Sequence, residues 1–239
     1  LDNVIHTLAG LVLRDATPRK LFESRVFLWI ALIVANLPDI DLITFLINPA
    51  VFFQIHRGVT HSLFMAPIWG LFGAIAAYYL SRKKLPFFRV WFWYFLAVVC
   101  HLFLDFITSY GIELFAPFSN KTYSAHLFPT VDLWTLVLLI ILITLILISK
   151  RGAVLRRFVI IGGAVVFLIY AGIRVGAKIS AENRVIAHYS RPDRIYSFAD
   201  IESWEKWLNP TAYRVVTVNG DSAVSYEVIC RQIVEQKRF

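Results

Sequence analysis

The sequence predicts an all-α polytopic membrane helical bundle of about five full spans plus a short N-terminal partial helix, with a small α+β C-terminal tail domain. Three observations carry that prediction. Of 239 residues, 58% are hydrophobic and only 17% charged, and the mean hydropathy is +0.65, far from the balance of a soluble globular domain. Apolar runs at residues 26–47, 62–80, 90–109, 133–149 and 157–177 each approach the roughly 20 residues that cross about 30 Å of hydrocarbon. Basic residues gather between those runs, as they do around membrane spans.

Taken in order, residues 4–13 form an apolar stretch too short to span, with His6 inside it and no basic head of the kind a cleavable signal peptide carries. The first long run is interrupted by Pro38, Asp39 and Asp41, where proline removes a helical donor and favours a kink. The 133–149 run is nearly featureless Leu and Ile and reads as a lipid-facing span. Beyond it, residues 1–177 are expected to form a membrane-embedded metal-site domain and residues 178–239 an extramembrane domain. In that tail, Ser203–Leu208 suggests a short helix. Tyr213–Val218, Asn219-Gly220-Asp221 and Ser222–Cys230 read as a β-hairpin.

The net charge of +8 does not point to nucleic acid, because of where it sits. Arg14, Arg19, Lys20 and Arg25 precede the first long run, Arg82, Lys83, Lys84 and Arg89 stand between the second and third, and Lys150, Arg151, Arg156 and Arg157 between the fourth and fifth. In a five-span alternation all three segments share one side, which the positive-inside rule makes the cytoplasm. The motif clusters and the tail then face the extracytoplasmic side. Cys100 and Cys230, one in a run and one in the tail, say nothing about redox compartment.

Four polar clusters stand at or beside the ends of the apolar runs. They are Asn36-Leu37-Pro38-Asp39-Ile40-Asp41, His56-Arg57-Gly58-Val59-Thr60-His61-Ser62, His101-Leu102-Phe103-Leu104-Asp105, and the stretch from Tyr110 to Asp132. Carboxylates and imidazoles at membrane depth are costly unless paired, hydrated or bound to a cation, so they mark a functional site. His101 and Asp105, four apart, share one helix face and suit a single divalent ion; a neutralising pair between helices is the competing reading. Asp39 and Asp41 repel each other when both are ionised and call for a nearby positive charge, although Asp at a helix start is also an ordinary cap. The His56–Ser62 segment combines two imidazoles with Arg57, whose guanidinium can fork onto a phosphate, and with Thr60 and Ser62, which can cap the next helix. Interfacial anchoring by Arg57 is its alternative. For Asp132, capping competes with ligation, and His126 is either a ligand or a solvent-facing loop residue.

Together with Asp2-Asn3-Val4-Ile5-His6-Thr7-Leu8, Ser109-Tyr110-Gly111 and Pro117-Phe118-Ser119, these motifs resemble, over about residues 2–135, the prokaryotic inner-membrane metal-dependent hydrolases of the YdjM/YfhP type. That family is similar, distantly, to zinc-dependent phospholipase C. The resemblance implies a multi-pass inner-membrane hydrolase in which His6, Asp39, Asp41, His56, His61, His101 and Asp105 hold one to three divalent ions, zinc first and manganese second. It implies a metal-activated water attacking a phosphoester of a membrane lipid or lipid-linked substrate, with Asp41, Arg57 and Asp105 as the catalytic residues: Arg57 on the phosphate and an aspartate taking the proton. Two other classes fit the same residues: a proton- or cation-coupled transporter and a non-catalytic scaffold stapled by metal.

Overall fold

The computed structural model describes residues 3–18, 21, 23–148, 153–189, 192–199, 206, 208–220, 222–230 and 232–238. A 13-residue helix, α1 (Asn3–Asp15), is followed by α2 (Arg25–Val34), whose cap Ser24 accepts from the Phe27 N–H at 3.2 Å. At Pro38 the chain tightens into a 3-10 turn, Leu37–Asp41, then continues as the short helices α3 (Leu42–Ile47) and α4 (Pro49–Ile55). A second 3-10 turn, Val59–His61, leads into α5 (Met65–Leu80) and α6 (Phe87–Phe106). After the 107–132 loop come α7 (Leu133–Ile148) and the 37-residue α8 (Ala153–Tyr189).

The expectation of five full spans is overturned. Among the described residues only α6 and the Val154–Ala187 part of α8 are long and apolar enough to cross a membrane, or three spans if α2 and the bent segment after it count as one. The reason is that an apolar run is not the same thing as an unbroken helix. The first run bends by 57° where Pro38 interrupts it. The 62–80 run becomes helical only from Met65, because Ser62 to Phe64 belong to the turn beside the site and Leu63 donates to the Leu114 carbonyl at 3.0 Å. Both α5 and α7 stop at 16 residues, about 24 Å of rise. The fifth run is only the first part of a helix about 55 Å long.

The main core lies where α2, α5 and α6 meet: Phe27, Ile30, Val34, Ala74, Ala77, Val90, Tyr94 and Val98 are buried together. Two glycines allow the approach. A Cβ on Gly70 would come within 2.8 Å of the Phe95 backbone, and one on Gly73 would lie 2.3 Å from Val34 Cγ2 and 2.8 Å from Tyr94 Cδ2. Small residues at a helix interface let backbones close up in this way. Tyr94 in turn donates to the Phe27 carbonyl at 3.0 Å. The packing fixes the ends of α2 and α6, which carry the site.

The tail is a four-stranded antiparallel meander in the order β1 (Arg194–Ala199), β2 (Tyr213–Asn219), β3 (Ser222–Ile229), β4 (Gln232–Arg238), so two strands flank the expected hairpin. Asn219 pairs with Ser222 across a tight turn in which Gly220 takes a left-handed φ of +55°. The sheet packs Tyr213, Val215, Tyr226 and Val228 on Ala181 and Val185 of α8. Residues 203–205 and 207 of the expected Ser203–Leu208 helix lie outside the described residues. The sheet also grips the 107–132 loop: Tyr213 Oη donates to the Leu127 carbonyl at 2.8 Å, and Lys178 Nζ on α8 donates to that of Ala125 at 2.8 Å.

Gly73→Val is expected to lower stability by about 1–3 kcal/mol, the usual cost of overpacking, whereas Gly162→Ala, whose added methyl meets nothing within 4 Å, leaves it unchanged or slightly raised. Thermal unfolding of the two variants in the same detergent, followed by tryptophan fluorescence, checks the contrast.

Candidate metal centre

His101 and Asp105 occupy the last turns of α6, one turn apart, and both are buried. Facing them are two tight backbone turns. The 3-10 turn after Pro38 presents Asp39 and Asp41, and the Val59–His61 turn presents His61, which has no solvent exposure. His61 Nε2 lies 3.2 Å from Asp39 Oδ1, 3.4 Å from Asp105 Oδ2 and 3.3 Å from His101 Nε2. His101 Nε2 is itself 3.3 Å from Asp105 Oδ2 and 3.8 Å from Asp39 Oδ1. Asp39, His61, His101 and Asp105 thus each offer an atom to a space in which all four lie within 4.8 Å of one another.

The hydrogen bonds behind the two imidazoles decide which atoms face that space. His101 Nδ1 is 2.8 Å from the Ala35 carbonyl; a carbonyl only accepts, so Nδ1 carries the hydrogen and the neutral ring turns a bare Nε2 inward. Thr60 Oγ1 donates to Asp41 Oδ2 at 3.2 Å and stands 3.0 Å from His61 Nδ1. Its own hydrogen being spent, it accepts from Nδ1–H and leaves His61 Nε2 bare as well. Two imidazole lone pairs and two carboxylate oxygens therefore point at one another, an arrangement that requires a positive charge between them. A proton supplies it in part: burial alone lowers the His61 pKa, but its hydrogen bonds to Asp105 and Asp39 outweigh burial and raise it above the usual histidine range. Two nitrogens and two oxygens at this spacing, with second hydrogen bonds fixing each ring, are also the donor set of a divalent metal site. The residues fit such an ion.

Other residues predicted from the sequence gather around this core. His6, buried in the first turns of α1, stacks on His101 with centroids 3.7 Å apart and places Nε2 3.4 Å from Asp105 Oδ1. His56 ends α4 with Nδ1 3.1 Å from Asp41 Oδ1 and its ring on Phe52. Arg57, held at a left-handed φ of +64°, turns inward. Its two terminal nitrogens donate to Asp105 Oδ1 at 3.0 Å and Thr108 Oγ1 at 3.1 Å, and its face covers the Tyr110 ring. Ser62 Oγ accepts from the Met65 N–H at the start of α5. All seven predicted ligands thus share one neighbourhood, formed where α1, α2, α4 and α6 end or begin.

His126 and Asp132 stand elsewhere. Asp132 caps α7 by accepting from the Thr135 N–H at 2.8 Å, and its other oxygen meets Tyr170 Oη at 2.9 Å and Arg174 at 3.6 Å. His126 lies in the loop beside Lys178, where burial first and that cation second lower its pKa. The contacts that sequence reasoning missed are the Ala35 carbonyl, for which no side chain gives a signal, Thr108, and the Asn36 Nδ2 to Thr7 Oγ1 bond at 2.9 Å that ties α1 to the kink. Thr7 and Asn36 sit inside recognisable motifs, which was the available clue.

Fold and site together define a helical membrane domain with a buried histidine and aspartate centre able to hold a metal ion. The chain belongs to the YdjM inner membrane protein family, whose match covers residues 1–176 and so ends before the sheet. It is also similar to a Bacillus subtilis (strain 168) protein described as Uncharacterized protein YfhP, with 34% identity over 138 residues, which are 55% of this chain and 42% of that relative. The chain therefore aligns with less than half of the relative's length. No solved structure gives a significant match.

Two outcomes are expected. Because a cation must displace the proton that Asp39 and Asp105 hold on His61, metal binding releases protons and strengthens as pH rises through the raised His61 pKa; calorimetry in buffers of different ionisation enthalpy reads the release. Arg57→Ala frees Asp105 from its orienting partner and weakens metal binding roughly 10–100-fold, measured by competition with a chelator.

Proposed function

We propose that this protein is a membrane-embedded, metal-dependent hydrolase that cleaves a phosphoester of a lipid or lipid-linked substrate. The observation that carries the reading is the convergence of His61 Nε2, His101 Nε2, Asp39 and Asp105 in one buried space, with both rings held from behind. These residues would hold a divalent ion, zinc first and manganese second, which would supply Lewis acidity and make a nearby water more acidic.

The chain's own residues do the rest. Arg57 is spent on Asp105 and Thr108, so it acts as a positioning residue that orients the Asp105 carboxylate toward the cage. His6 covers the far face of His101 and excludes water from that side. Asp41 Oδ2, beside the Thr60 hydroxyl, is the carboxylate oxygen placed to take a proton at the mouth. His56, with its side chain 14% exposed, marks the side from which a phosphate enters.

The position of the site along the helices supports a lipid substrate. α5 begins beside the site, where Trp69 Nε1 donates to the Thr60 carbonyl, and ends against Phe87 at the start of α6. The basic residues 82–84 and Arg89 therefore lie about one helix length from His101 and Asp105. By the positive-inside rule the basic end is cytoplasmic and the site faces the other leaflet, within reach of a headgroup.

The test is hydrolysis of phospholipids, phosphatidic acid and polyprenyl phosphates by metal-loaded protein in detergent. Wild type is expected to release product, and His101→Ala or Asp105→Ala to lose at least ~100-fold while inserting normally. Variants as active as wild type would refute the assignment.

A further inference from the structure

Beside the buried cage stands a second set of ligating atoms. Asp39, Asp41 and His56 each offer one, all within 4.8 Å of one another, and Asp39 belongs to both sets. We propose that the protein holds two divalent cations bridged by the Asp39 carboxylate. An inner ion sits among Asp39, His61, His101 and Asp105, and an outer ion sits on Asp39, Asp41 and His56 with a coordination position left for the substrate phosphate. The role given to the outer ion rests on the phosphoester reading; the count of two ions does not.

The local backbone divides the carboxylates between the two places. Two residues apart in a 3-10 turn, Asp39 and Asp41 project in different directions. Asp39 Oδ1 lies 3.2 Å from His61 Nε2, whereas Asp41 Oδ1 lies 3.1 Å from His56 Nδ1. Thr60 joins the two halves, bonded to Asp41 Oδ2 on one side and to His61 Nδ1 on the other. The two sets are distinct, because His56 does not join the group of atoms within 4.8 Å of one another that contains His61, His101 and Asp105, and Asp39 is common to both.

Access separates the two places as well. His61 and Asp105 are 0% exposed and His101 only 2%, so the four donors of the inner set are shielded from solvent. The His56 side chain is 14% exposed. Its ring leans on Phe52 and lies 6.0 Å from that of Tyr110, itself an exposed residue. Three protein donors at an accessible edge are the pattern of an ion that keeps a place for water or substrate.

Charge agrees. Asp39, Asp41 and Asp105 against Arg57 leave two formal negative charges in a buried site. A single divalent cation cancels them and leaves nothing to attract an anion. A second gives the site a net positive charge that a phosphate complements, and a shared carboxylate holds two ions at the roughly 3.5–4 Å spacing of two-metal phosphoesterase centres.

Titration of metal-free wild-type protein in detergent with Mn²⁺, followed by electron paramagnetic resonance and elemental analysis, tests the proposal. Two ions per chain are expected, the first giving an isolated Mn²⁺ spectrum and the second an exchange-coupled one. His56→Gln should bind one ion and show no coupling, and Asp39→Asn should abolish coupling. A wild type that saturates with one ion, or with two magnetically isolated ions, overturns the proposal even if no variant folds, and so does a His56→Gln protein that keeps the coupled pair. Two coupled ions without phosphoester turnover would uphold the bridged pair and refute the hydrolase reading. One ion with turnover would do the reverse.

Discussion

Everything in this molecule is arranged around the cost of burying like charges together. Asp39 and Asp105 meet two imidazole nitrogens whose hydrogens point the other way, in a domain whose surroundings are hydrocarbon and aromatic rings. Each ion taken out of water costs roughly several kcal/mol even after relaxation. The site therefore calls for positive charge among its donors and for each donor to be held by something else. Arg57, Thr60, Thr108, the Ala35 carbonyl and the His6 ring are those holders.

That requirement explains where regular helix gives way. Irregular backbone at membrane depth is tolerated where it is buried in protein or lines a polar cavity, and here the breaks fall at the centre. Pro38 ends α2 in a 3-10 turn, Asn48 caps α4, Arg57 takes a left-handed φ, and the Val59–His61 turn delays the start of α5. α6 runs unbroken up to the site and contributes His101 and Asp105, a pair of groups that a helix can present by itself. The glycines that seat α5 against α6 and α2 set the distance across which the other groups must reach. The sheet, outside the family match, reaches the centre only indirectly: Tyr213, its hydroxyl pushed up to about 12 by burial, holds the Leu127 carbonyl. The Leu127 N–H donates to Ile107, next to Thr108.

Much of the centre was legible in the sequence because ligand chemistry is carried by residue type and short spacing. Histidine and aspartate are rare in apolar runs, and His101 and Asp105 at one helical turn left little choice of direction. The span count was not legible, since hydropathy measures whether a segment avoids water and not whether its backbone continues. The run containing Pro38 is apolar enough on average to pass as one span and still bends by 57°. The direction of Arg57 was hidden for a related reason. A surface arginine and one folded inward by a φ of +64° look alike in sequence. Asp132 fits a cap and a ligand equally until Tyr170 and Arg174, some forty residues away, are seen to occupy its second oxygen.

The central claim is that this cage of nitrogen and oxygen atoms holds a metal ion, and X-ray absorption at the edge of the bound metal tests it most directly. Zinc-loaded protein is expected to show only nitrogen and oxygen neighbours at about 2.0–2.2 Å, with the outer-shell scattering of at least two imidazoles. A spectrum without imidazole scattering, or one that includes sulfur from Cys100 or Cys230, would place the ion elsewhere and contradict the account.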